Sequence, residues 1–144
     1  MPSIVRSILA IVAGFVLIAV LAFGTGIALQ NAGMTPGPGE PMTDTGSVLL
    51  EVAYVALFAI AGCWLAAWLA PNRPMRHALI LGFLGLVFNV MGAVATWGER
   101  PAWAMLLNLA LVMPYAWVGG RLREKQLERS PAHQDFGATI GLQR

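Results

Sequence analysis

Apolar residues do not alternate with polar ones in this chain; they run in four long blocks, over residues 4–29, 48–70, 76–97 and 101–120. A hydrocarbon core about 30 Å thick is crossed by roughly 20 apolar residues in a helix, so each block predicts one membrane-spanning helix. The third block carries a second pattern. Ala78, Gly82, Gly85, Asn89, Gly92 and Thr96 recur at steps of four, three, four, three and four, which at about 3.6 residues per turn places them on one narrow stripe. Every member is small or polar. Lipid provides no hydrophobic drive for helices to associate, so close backbone approach and interhelical hydrogen bonds hold them together, and such a stripe predicts the buried side. The second block has its own stripe in Glu51, Val55, Ala59, Gly62 and Ala66, and the fourth in Ala104, Asn108, Val112, Tyr115 and Gly119. In the first block Ser7, Gly14, Ile18 and Thr25 share a face. Four such faces predict an all-α membrane protein, a bundle of four transmembrane helices.

The breaks between blocks set the connections. Residues 30–47 hold three prolines and four glycines with Glu40, Asp44 and no basic residue, which predicts an external loop. Asp44, Thr45 and Ser47 at its end are N-cap residues for the second helix. Pro71 and Pro74 stop one helix and start the next in a short internal turn. Gly98, Glu99 and Arg100 leave room only for a tight hairpin, so the third and fourth helices are expected to be antiparallel neighbours. Pro101 suits a first helical position, and Pro114 predicts a local kink. Residues 121–129 continue as a basic helical extension of a transmembrane domain spanning 1–129, and 130–144 are expected to form a disordered cytoplasmic tail. The first block exceeds the roughly 7–15 residues of a signal h-region, so it is expected to stay as a helix.

Composition agrees with the membrane class: 58% of residues are hydrophobic and 11% charged, against about 25% charged in an ordinary globular domain. Charge distribution then orients the spans. Arg6, Arg73, Arg76, Arg121, Arg123, Lys125, Arg129 and Arg144 fall on one side of a four-span topology and Arg100 alone on the other. Lys and Arg accumulate in short cytoplasmic segments, so both termini are expected in the cytoplasm. Trp97 and Trp103 flank the external hairpin while Trp64, Trp68 and Trp117 lie in the opposite half, as two interfacial belts do. Arg73, Arg76, Arg121, Arg123 and Lys125 are expected to meet lipid headgroups, with His77 beside them. The lipid bilayer is therefore the first partner, and nucleic acid is not one. The single Cys63 excludes an intrachain disulfide and reads as a packing residue.

Candidate chemistry gathers in the outer half. At about 1.5 Å per residue, Thr25 and Glu51 lie roughly one turn below the external helix ends, and Tyr54, Asn108 and Asn89 somewhat deeper. Glu51, Asn89 and Asn108 each belong to the stripe of their own helix, so the pattern predicts that they converge. One reading makes them a shallow pocket for a cation, proton or small polar ligand, with Glu51 supplying charge; ionisable groups in spans often mark such sites. The other makes them interhelical glue. Packing itself is expected at Gly62, Ala66, Ala78, Gly82, Gly85, Gly92 and Gly119. No phosphate-binding glycine loop, paired histidine motif, CxxC or Ser–His–Asp spacing occurs. Neither an enzyme nor a cofactor or metal site is predicted.

Three segments carry a likeness to known proteins: Ala61-Gly62-Cys63-Trp64-Leu65-Ala66-Ala67; Arg76-His77-Ala78 with Gly82 and Gly85; and Pro114-Tyr115-Ala116-Trp117-Val118-Gly119-Gly120-Arg121-Leu122. In these the chain resembles the small four-span inner-membrane proteins of bacteria whose function is uncharacterised. The resemblance implies a multi-pass protein of the bacterial inner membrane and brings no activity with it. The expected role is a structural or interaction component that self-associates or joins a larger membrane complex, and the alternative is an oligomeric small transporter or channel.

Overall fold

The computed structural model describes residues 3–37, 39–70 and 72–129, and its regular structure is four helices: α1 (Ser3–Asn31), α2 (Thr45–Leu69), α3 (Pro74–Ala95) and α4 (Ala102–Glu128). Each is long and apolar enough to cross a membrane. No strand occurs among the described residues. Pro71, expected to end the second helix, and the tail over 130–144, including His133 and Arg144, lie outside the described residues.

Local chemistry sets the helix ends. α2 begins earlier than the apolar block because Asp44 caps it: its Oδ2 accepts hydrogen bonds from the Ser47 backbone N–H at 2.8 Å and the Ser47 hydroxyl at 3.0 Å. This satisfies donors that the first turn of a helix leaves without partners. α3 begins at Pro74, whose missing N–H is no loss in a first turn. The preceding Arg73 sits in the left-handed region at φ 50°, and its carbonyl oxygen accepts from the Arg76 backbone N–H at 3.0 Å. The turn between α3 and α4 is tight, with Gly98 at φ 96°, a conformation open to glycine at no steric cost. α4 runs unbroken through Pro114 and past the apolar block to Glu128.

α2 is the hub of the bundle. It packs on α1, α3 and α4, while α1 and α4 lie across from one another and barely touch. The buried cluster is made of Cys63, Ala66, Ala67, Ala78, Leu81 and Ala116, so small side chains dominate it and the backbones come close. A Cβ added at Gly119 would stand 2.7 Å from the Cys63 Cβ, 2.8 Å from the Ile60 carbonyl oxygen and 2.9 Å from the Trp64 nitrogen. One at Gly14 would stand 2.6 Å from the Gly62 carbonyl oxygen, and one at Gly62 would be 2.7 Å from the Gly14 carbonyl oxygen and press into Ile18. Gly82 faces the Ala116 Cβ in the same way, and Gly120 faces Met75 and Ala78. Crossings this close account for the small residues at Gly62, Ala66, Ala78, Gly82 and Gly119.

The α3 stripe does not stay tight along its length. A Cβ on Gly85 would find Val112 at 3.8 Å, an ordinary contact, and one on Gly92 would meet nothing within 4 Å. Gly85 therefore keeps its place on the contact face with α4, while the expectation that Gly92 is a packing residue is corrected. From Asn89 onward the stripe borders a space between the helices. The bundle thus has a closed end around Gly119 and an open end around Arg100. Large apolar side chains cover the outside, among them Val20 and Ile27 of α1 and Phe83, Met91 and Val94 of α3, all exposed.

Candidate functional site

The space at the open end is a cavity of about 390 Å³, within the range of roughly 300–1,000 Å³ usual for ligand pockets. All four helices line it, but unequally. α2 contributes Val48, Glu51, Val52 and Val55; α3 contributes Phe88, Asn89, Gly92, Ala93 and Thr96; α4 contributes Ala104, Met105, Asn108 and Leu109. α1 contributes Phe23, and Arg100 reaches in from the hairpin. The middle of the wall is apolar, with polar groups at two levels.

The first level is an ion pair at the rim. Glu51 stands roughly two turns inside α2, past its capped first turn, which holds no acid. Its Oε2 accepts a hydrogen bond from Arg100 Nη1 at 2.6 Å, with the two side chains 23% and 39% exposed. That exposure places the pair between a screened surface contact and a buried one, so its net contribution is modest. The sequence singled out Arg100 as the one base on its side of the bundle and Glu51 as the one acid in a span, yet did not join them. An acid toward the external end of one span and a lone base beside the external end of another was the available signal.

The second level is the floor. Asn89 Nδ2 donates to the Gly85 carbonyl oxygen of the previous turn at 2.9 Å, which turns Asn89 Oδ1 toward α4, where it accepts from Asn108 Nδ2 at 2.8 Å. Because the Gly85 carbonyl can only accept, the orientation of both amides follows from it. Thr96 closes the last turn of α3 by donating from its hydroxyl to the Gly92 carbonyl oxygen at 3.0 Å.

Glu51, Asn89 and Asn108 are thus brought to one cavity, but in two pairs with different partners instead of one three-residue cluster. Tyr54 and Thr25 are not among its lining residues. Tyr54 tilts against Phe58 with ring centroids 5.9 Å apart, and its hydroxyl faces α1 at Gly26. The sequence placed both at the right depth on their helices; the rotation of α1 and α2 against each other turned them away. No group of three or more His, Cys, Asp or Glu residues able to hold a metal occurs among the described residues.

Two further features frame the cavity. Above it the long connection is tied down, because the Met42 backbone N–H donates to the Glu99 carbonyl oxygen at 3.0 Å. At the closed end Trp64 Nε1 donates to Gln126 Oε1 at 3.0 Å and Trp64 stacks on Trp68. Arg121 lies over the Trp117 ring, 5.3 Å from its centroid. Arg73, Arg76, Arg121 and Arg123 belong to this closed end, as does Lys125 in the last turn of α4. The chain matches no protein-family model, no curated protein and no solved structure.

Proposed function

We propose that this chain is a multi-pass protein of the bacterial inner membrane, an antiparallel four-helix bundle with both termini cytoplasmic. Its role is that of a structural or interaction component that self-associates or joins a larger membrane complex. Neighbouring contacts support the arrangement: Gly14 meets Gly62 while Gly26 meets Tyr54, and Gly82 meets Ala116 while Asn89 meets Asn108. Residue number rises along one helix as it falls along its neighbour. Seven basic residues, Arg6, Arg73, Arg76, Arg121, Arg123, Lys125 and Arg129, then share the closed end and Arg100 stands alone at the other, which supports a cytoplasmic closed end.

The observation that carries the functional reading is how the polar residues are used. Glu51 is neutralised by Arg100, and Asn89 and Asn108 bond each other and the backbone. Below them Ala66, Ala78, Leu81 and Ala116 close the bundle. Groups committed to holding helices together, above a tightly packed half, favour a scaffold over a single-chain conduit. The cavity favours a second reading, an oligomeric small transporter or channel with a shallow outer pocket.

The assembly state tests the first reading. Solubilised in mild detergent and run on native electrophoresis, the 15.3 kDa chain is expected in a complex with itself or with other membrane proteins. A strictly monomeric species across detergents counts against it. Solute flux into proteoliposomes containing the purified chain supports the second reading instead.

A further inference from the structure

The cavity is built for something other than an ion. Its one carboxylate in a span is already paired with its one guanidinium at 2.6 Å, so the rim offers no net charge to a free cation or anion. Between rim and floor the wall is apolar, made by Val52, Val55, Phe88 and Met105. At the floor one strong acceptor is left over. Asn108 spends Nδ2 on Asn89, and its Oδ1 accepts nothing among the described residues. It is not a buried orphan either, so it faces the open space.

The access route is lateral. α1 meets α3 over a shorter interface than α2 shares with any neighbour, Phe23 is α1's contribution to the lining, and Gly92 is exposed with open space where a side chain would be. In a bilayer that opening faces acyl chains rather than water, which rests on the membrane reading above.

We propose that the cavity binds one uncharged amphiphile drawn from the bilayer, an alkyl chain carrying a hydroxyl, with the hydroxyl donating to Asn108 Oδ1. The chain lies against Val52, Val55, Phe88 and Met105 and leaves past Gly92 between α1 and α3. A hydroxyl in hydrocarbon lacks partners, so an acceptor there attracts it strongly. A carboxylate head would meet Glu51 and the acceptor Asn108 Oδ1, and an ammonium head would have to displace Arg100 from Glu51; both are disfavoured by the same arrangement.

Three photoreactive probes of equal chain length test this on the full chain in lipid nanodiscs: decanol, decanoate and decyltrimethylammonium, each with a diazirine on the chain, beside a decane control. Labelling is mapped by peptide and normalised to the lipid-facing residues of α1. Decanol is expected to label the Phe88 and Met105 peptides roughly tenfold above either charged probe, a difference of the size one well-placed interaction confers. Gly92→Phe fills the cavity without a backbone clash and is expected to abolish that labelling. Gly24→Phe, whose Cβ also meets open space but on the outside of α1, is expected to leave it intact. Asn108→Ala is expected to remove the preference of decanol over decane. Equal cavity labelling by the charged probes, or labelling that survives Gly92→Phe, overturns the proposal. If α1 is labelled and the cavity is not, the proposal fails while the membrane reading stands; if α1 itself escapes every probe, the membrane reading fails and the proposal with it.

Discussion

Gly119 and Gly92 occupy equivalent places on their stripes and opposite ones in the bundle. At Gly119 the neighbours within 3 Å of an added Cβ are backbone and Cβ atoms of α2, which cannot rotate aside. Gly119→Ala is therefore expected to destabilise the bundle by about 1–3 kcal/mol, as overpacking does. Gly92→Ala relieves the conformational entropy of a helical glycine and is expected to stabilise by up to about 1 kcal/mol. Reversible unfolding in mixed micelles reads both, and equal effects at the two sites would contradict the closed and open ends described above. The polar pairs predict small couplings. A double-mutant cycle on Asn89→Ala and Asn108→Ala is expected to return about 0.6 kcal/mol, the average for interhelical polar contacts in one measured membrane protein. The Glu51→Gln and Arg100→Gln cycle is expected to return about 1 kcal/mol, the upper end for exposed pairs, because both groups keep part of their hydration.

At the scale of the element, the start of α2 depends on one side chain. The Asp44 carboxylate is held below its ordinary value of 3.8, first by the hydrogen bond from the Ser47 backbone and then by that from its hydroxyl. Those bonds exist only in the folded cap, so the folded pKa is the lower one. The sign follows: the cap's contribution is fully present above the unfolded value and is lost as pH falls through the folded value. The chemical shift of the Ser47 amide is expected to titrate with a midpoint under 3.8, and Asp44→Ala is expected to fray the first turn of α2 at every pH. A midpoint at or above the ordinary value would remove the cap from the account. At the other connection, Arg73 holds a left-handed φ of 50° that costs a side-chain-bearing residue about 1–2 kcal/mol. Arg73→Gly recovers part of that strain but removes a basic residue from the closed end.

For the whole molecule, orientation is the property that decides what the cavity can reach. In a Cys63→Ser background, cysteines at Thr43 and Glu99 are expected to react with a membrane-impermeant maleimide in intact cells, and cysteines at Asn72 and Glu128 only after permeabilisation. The reverse pattern would turn the bundle over and put the cavity on the cytoplasmic side. This test is independent of the packing and cavity predictions, because the contacts between helices are the same in either orientation.

Much of this architecture was legible along the chain. Block length and the lack of charge made the four helices unavoidable, since backbone polar groups in hydrocarbon must be satisfied within the segment. Helical periodicity also placed Gly62, Ala78, Gly82 and Gly119 on contact faces, because periodicity within one helix depends on that helix alone. What periodicity cannot encode is how far apart two faces stand and how they are turned. Only the tertiary arrangement made Gly119 a crossing point and Gly92 the mouth of a cavity, paired Glu51 with Arg100 across a separation of 49 residues, and turned Tyr54 away toward α1. Those outcomes depend on rotations and distances between helices, which no single stripe contains.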